Sequence, residues 1–183
     1  MHDASASMFA MGQPASPGLE ALAEDGDPSG LVTELQSAAG VTGAGAMAMP
    51  NGATEPGPIA SGESYTIQVR PTADAPRLGW ATMVVPTNDT FLSLGPDGVA
   101  LADESGNLRD AADVQADILA ALAAYDAGTE ANQAGAAGPD QPPRQAGPNT
   151  DPAEGDGTVR NLNDPVWTYP DLSNTLRVTL TPQ

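Results

Sequence analysis

The chain has no cysteine and no lysine, one histidine, and few aromatics: two Trp, three Tyr and two Phe in 183 residues. Without cysteine, disulfides, thiolate nucleophiles and Cys-based zinc or iron–sulfur sites are excluded together. Stability must come from packing, with an oxygen-ligated metal as the remaining aid. His2 alone comes close to excluding a Ser–His–Asp triad or a multi-histidine metal site. The shortage of His, Cys and Lys also narrows the acids, bases and nucleophiles open to an enzyme. Long apolar runs are missing as well, since none approaches the roughly 20 residues that span a bilayer. The opening Met-His-Asp-Ala lacks the basic and apolar regions of a signal peptide, so Met1 reads as a natural start or as a start placed after a removed signal, with the second preferred.

What is abundant is acid and turn formers. Twenty-four acidic residues face six basic ones, all Arg, for a net charge of -18. Such a surface repels nucleic acid and anionic lipid and attracts cations. It suits either a salt-adapted source, where ions screen the self-repulsion, or a merely acidic secreted protein. The 20 Gly and 18 Pro spread along the chain argue for many short elements joined by turns, with all-β the favoured class. The length suits one domain with a real core.

Along the chain, Leu19, Leu22 and Ala23 share a helical face that Gly26 can end. Asp27-Pro28 can open a second helix carrying Leu31, Leu35 and Ala38. Residues 40–62 read as strand fragments or an ordered loop. Alternation of Tyr65, Ile67 and Val69 predicts a half-buried strand over 65–70, and the apolar run Leu78–Val85 predicts a central strand covered on both faces. Further strands are expected at 91–94, 99–101, 158–162 and 176–180, with turns at Pro96-Asp97-Gly98 and 103–107. Residues 113–125 suit a helix by propensity or a strand ending at Tyr125. The Gly- and Pro-rich stretch 131–157 reads as a functional or mobile loop, and Trp167 and Tyr169 as core or edge anchors. Residues 1–8, with His2, read as a flexible terminus before a single domain from residue 9 to 183.

Calcium, a hard cation, takes about six to eight oxygen ligands. Two segments beside predicted strands have that character, 86–91 and 126–132. If neighbouring loops bring Asp89, Asp126 and Glu130 to one end of a sandwich, the three carboxylates repel unless a cation neutralises them. Solvated loops are the plainer reading. Asn88-Asp89-Thr90 is a glycosylation sequon, although a sugar there would obstruct the proposed site. The 103–107 segment lacks the closing Glu of a twelve-residue calcium loop, so a plain turn is expected. The acid pair Asp110 and Asp113 has no aromatic sugar platform beside it.

Three stretches carry a more specific pattern: Gly-Leu-Glu-Ala-Leu-Ala-Glu-Asp-Gly (18–26), Ala-Thr-Met-Val-Val-Pro-Thr-Asn-Asp-Thr-Phe (81–91) and Tyr-Asp-Ala-Gly-Thr-Glu (125–130). In this order they resemble the spondin domain from about Phe9 onward. Asp-Ala-Gly-Thr-Glu is the most specific element, and Gly-Pro-Asp-Gln-Pro-Pro-Arg-Gln (138–145) resembles the family's microbial branch. The resemblance implies an antiparallel β-sandwich similar to calcium-dependent membrane-targeting modules, here with two short N-terminal helices. It also implies a calcium held between loops, and an extracellular role in matrix or cell adhesion. Asp89 matches the acidic position of the first loop, Asp126 and Glu130 those of the second. Glu130 departs from the Asp of animal members, and any disulfide of those relatives is missing here.

The resulting expectation is an exported, non-catalytic calcium-binding adhesion or scaffold domain, secreted or on the cell surface, extracellular or periplasmic. Asp89, Asp126 and Glu130 are its metal ligands and Asn88, Thr129 and Asn132 the supports. Its partner is a protein or glycan at the cell surface or matrix, with no nucleic acid and no transmembrane segment. The alternatives are a self-associating subunit of a surface layer or filament, and a carboxylate-dependent glycan hydrolase.

Overall fold

A computed structural model describes residues 1–135, 137–150, 152–155, 157–162 and 176–181. Its element order is α1 (Pro17–Asp25), α2 (Ser29–Ser37), β1 (Arg77–Leu78), β2 (Ala81–Met83), β3 (Thr90–Ser93), β4 (Val99–Ala100), α3 (Ala111–Ala121), β5 (Ala123–Asp126) and β6 (Arg160–Asn161). Both sheets are antiparallel, a β1–β4 pair and a four-stranded sheet in the order β2-β3-β5-β6. Three helices beside these short strands make the fold mixed, which corrects the expectation of an all-β chain.

The two N-terminal helices form as their leucine spacing predicts. The Ser16 hydroxyl caps α1 by accepting the Leu19 N–H, and donates in turn to Glu34 of α2. Glu34 also accepts the Gly18 N–H, so one carboxylate sits where the α1 dipole is positive and ties the two helices together. Gly26 ends α1 at φ 70°, a conformation that costs other residues energy. Leu19, Leu22 and Ala23 then bury against the sheet with Phe9, Phe91, Tyr125 and Val159. The rings of Phe9, Phe91 and Tyr125 lie within 5.5 Å of one another, centre to centre. Two of those contacts are edge-to-face, a favoured aromatic geometry. A second cluster gathers Leu94, Val99, Leu101, Val114 and Ile118, with Leu78, Trp80, Val178 and Leu180 against it.

Several expectations are corrected. The central strand of the larger sheet is β3, buried at all four residues, rather than the run 78–85. That run divides into β1 and β2, each half-buried, and β2 lies at the end of the strand order. No strand forms over 65–70. Ile67 and Val69 stand exposed, because alternation alone does not make a strand without a neighbouring edge to satisfy its backbone. Residues 113–125 supply both a helix and a strand. Asp110 caps α3 through the N–H groups of Ala112 and Asp113, and the chain then enters β5. Asp110 is thus the cap of α3, and Asp113 lies in its first turn.

The segment 176–180 joins no ladder, being held instead by Gln115. That side chain donates to the Val178 carbonyl and accepts the Leu180 N–H, at 2.8 and 2.7 Å. Nor is the terminus at 1–8 a loose lead-in. His2 is buried and exchanges two backbone hydrogen bonds with Arg77, adding a third short rung to the β1–β4 pair. The turn at 103–107 forms as a plain turn, with Asp103 accepting the N–H groups of Ser105 and Asn107. The stretch 131–157 runs without helix or strand in its described part, yet it docks on α1. There Gln145 donates to Asp25 and Asn149 to Glu20, at 2.7 and 3.0 Å. Trp167 and Tyr169 lie outside the described residues.

Candidate functional site

The register of the larger sheet decides where the acidic loops meet. Thr90 of β3 pairs with Asp126 of β5, and the Ala127 N–H continues the ladder onto the Asp89 carbonyl. The segment that ends at Asp89 and the one that begins at Asp126 therefore run side by side. Gly128 lets the second loop turn back, at φ 72°. A Cβ there would lie 2.3 Å from the Thr158 carbonyl oxygen, closer than any side chain tolerates.

Asp89, Asp126 and Glu130 are all at most 1% exposed, so these loop residues are interior groups rather than solvated ones. One oxygen of Asp89, Oδ2, accepts the Thr129 and Glu130 backbone N–H groups at 3.0 and 3.1 Å. The other, Oδ1, is buried and receives no hydrogen bond from the described residues. Asp126 is fully engaged: Oδ1 accepts the Gly128 N–H at 2.7 Å, and Oδ2 accepts Asn132 Nδ2 at 3.1 Å and Arg160 Nη2 at 2.9 Å. Arg160 also reaches Glu154, forming a bridge from the buried carboxylate to the half-buried one.

Of the expected supports, Thr129 touches Asp89 through its N–H and, at 3.4 Å, its hydroxyl. Asn132 places an amide oxygen in the interior with no hydrogen bond from the described residues. Asn88 is a structural group. It is 2% exposed and its amide donates to the Ala131 carbonyl at 3.0 Å, so the sequon is closed to a sugar in the folded chain.

Two residues of this region escape the sequence pattern. Glu24, on α1, is 1% exposed, and its charge acts on Asp89. Arg160 supplies the positive charge that faces Asp126. Its signal was its rarity, being one of six basic residues and placed in a predicted strand. Glu24 had none, because its burial follows from how α1 meets the sheet.

The electrostatic result is an excess of buried negative charge. The Asp89 pKa is pushed up to about 7, first by burial and then by the neighbouring Asp126, with Glu24 adding in the same direction. The two backbone N–H bonds pull the other way and do not prevail. Even so, among the described residues no three carboxylate or imidazole side chains converge into a cage for an ion. The loops meet as the sequence suggested, while Asp126 spends its oxygens on Gly128, Asn132 and Arg160. No protein-family model matches the chain, and no curated protein shows significant sequence similarity to it.

Proposed function

We propose that the chain is a calcium-binding, spondin-like β-sandwich module that acts outside the cytoplasm by adhesion or scaffolding and carries no catalysis of its own. The observation that carries this reading is Asp89 Oδ1, a carboxylate oxygen buried without a hydrogen bond beside the buried Asp126 and Glu130. A bare buried carboxylate is costly, and a cation is the usual compensation.

The donor set is all oxygen, as calcium prefers. Asp89, Glu130 and the Asn132 amide oxygen would hold the ion. Asp126 would join them by exchanging Arg160 or Asn132 for the metal. The bound ion would neutralise the inner layer and fix the 86–91 and 126–132 loops against each other, which preorganises the adjoining surface for a protein or glycan partner. The acidic surface and the absence, among the described residues, of any helix long and apolar enough to cross a membrane agree with an exported binding domain. The test is a thermal melt at fixed high ionic strength in calcium, magnesium and chelator. A rise specific to calcium is expected, because a ligand bound only by the folded state stabilises it. Identical melting in all three media would remove the metal from the reading.

Self-association is the second reading. Met47, Met49, Ile59, Ile67 and Val69 are large apolar side chains exposed along one segment, a surface that a second copy of the chain could cover. Size-exclusion chromatography should then show a concentration-dependent dimer or larger species. A monomer at every concentration would dismiss it.

A further inference from the structure

Arginine is scarce in this chain, and two of the six line one cleft of about 480 Å³. The cleft lies between the β1–β4 pair and α3, with Val99, Ala100 and Ala121 among its lining groups beside Arg77, Arg109 and Asp117. Both guanidiniums are fixed by backbone carbonyls. Arg77 donates through Nε to the Asp97 carbonyl at 2.6 Å and through Nη2 to that of Gly98 at 3.0 Å. Arg109 donates to the Ala100 carbonyl at 2.8 Å and pairs with the half-exposed Asp117 at 2.8 Å.

Arg77 forms no ion pair with any described residue, in a chain holding 24 acids. Its Nη1 hydrogens have no acceptor among those residues. Arg109 and Asp117 cancel, so the charged groups lining the cleft leave one positive charge. A guanidinium held by carbonyls is already oriented, and its planar edge suits a carboxylate. The depression is open to solvent, and its aliphatic lining suits a short apolar body. The surrounding net charge of -18 opposes any polyanion, which leaves a monoanion as the matching ligand.

We infer that this cleft is a binding site for a small monocarboxylate, with Arg77 receiving the carboxylate, Val99, Ala100 and Ala121 receiving its aliphatic part, and Asp117 limiting affinity by holding Arg109. The site makes no use of calcium and stands apart from the function proposed above.

The experiment is a titration of the full chain with butyrate in chelator, at ionic strength held constant with chloride. It is followed by amide shifts of Gly98, Ala100 and Ala121 and by the Arg77 Nε–H signal. Butyramide serves as the uncharged control. Saturable shifts confined to the cleft are expected with butyrate and not with butyramide. Arg77→Gln should weaken binding about tenfold, the loss of a charged hydrogen-bonding partner. Because Arg77 also pins Asp97 and Gly98, Asp117→Asn is the second variant. It leaves those contacts intact, releases Arg109, and should tighten butyrate binding by about fivefold, the scale of an exposed ion pair. Equal shifts with butyramide, shifts that fail to saturate, or an Asp117→Asn protein that binds no more tightly would each overturn the assignment.

Discussion

Replacing Asp89 by Asn separates the metal from the fold, because the two consequences have opposite signs. Without metal, the folded-state pKa of Asp89 stands near 7, above the ordinary 3.8. The folded form therefore binds the proton more tightly than the unfolded form, and stability falls as pH rises from about 4 to about 7. About three pKa units correspond to on the order of 4 kcal/mol, present as a penalty at pH 8. Asn carries no charge and still offers an oxygen to the Thr129 and Glu130 N–H groups, whose preference for a carboxylate is already contained in that shift. The net expectation in chelator at pH 8 is a gain on the order of 4 kcal/mol, at about 2–4 °C in Tm per kcal/mol for a chain of this size. In calcium the gap narrows. At a hundredfold excess over Kd the wild-type chain gains about 2.7 kcal/mol and Asp89→Asn gains little. Differential scanning calorimetry of both proteins in both media gives the four Tm values. If Asp89→Asn keeps the wild-type calcium increment, Asp89 is not a ligand. If it melts below wild type in chelator, the account of the buried charge fails.

The remaining expectations concern pH, charge and packing. In chelator, urea midpoints of the wild-type chain should fall between pH 4 and 7, and those of Asp89→Asn should stay flatter; parallel profiles would contradict the raised pKa. Arg160→Gln leaves Asp126 buried without its cation, and should cost about 2 kcal/mol in chelator and less in calcium, measured by urea unfolding in each. Phe9→Ala opens the Phe9–Phe91–Tyr125 cluster and should cost about 3–5 kcal/mol with a weakened near-ultraviolet signal, whereas a change under 1 kcal/mol would place residue 9 outside the core. Gly128→Ala forces a Cβ against Thr158 and should lower both the melting temperature and the calcium increment, since it moves the loop that carries Glu130.

The parts legible in sequence are those set locally. Leu19, Leu22 and Leu31 mark the two first helices because a helix face is written at every third or fourth residue, and Gly26 ends the first of them. Phe91–Leu94 marks β3 as a short apolar-rich segment after a turn, although the strand also buries Thr90 and Ser93 and is not continuously apolar. The juxtaposition of Asp89 with Asp126 followed from the loops flanking those strands. What stayed hidden depends on distant partners. Tyr65, Ile67 and Val69 alternate as a strand does, yet no neighbouring edge accepts them. Residues 113–125 suited a helix by propensity or a strand ending at Tyr125, and the chain uses both, with α3 capped by Asp110 and β5 following it. Glu24 became an interior charge only through α1 packing on the sheet, which no spacing records.

The docking of residues 145 and 149 on α1 also bears on how the chain behaves in brine. Both links are made by side-chain amides to carboxylates, Gln145 to Asp25 and Asn149 to Glu20, where a protein richer in bases would use lysine. Dissolved ions weaken attraction between separated full charges, and weaken far less a short contact made by a neutral donor. These two links to α1 are therefore nearly blind to salt, unlike the Arg160–Glu154 ion pair farther along the same loop. On a chain of net charge -18, whose self-repulsion dissolved ions screen, this attachment stays constant across dilute and concentrated media.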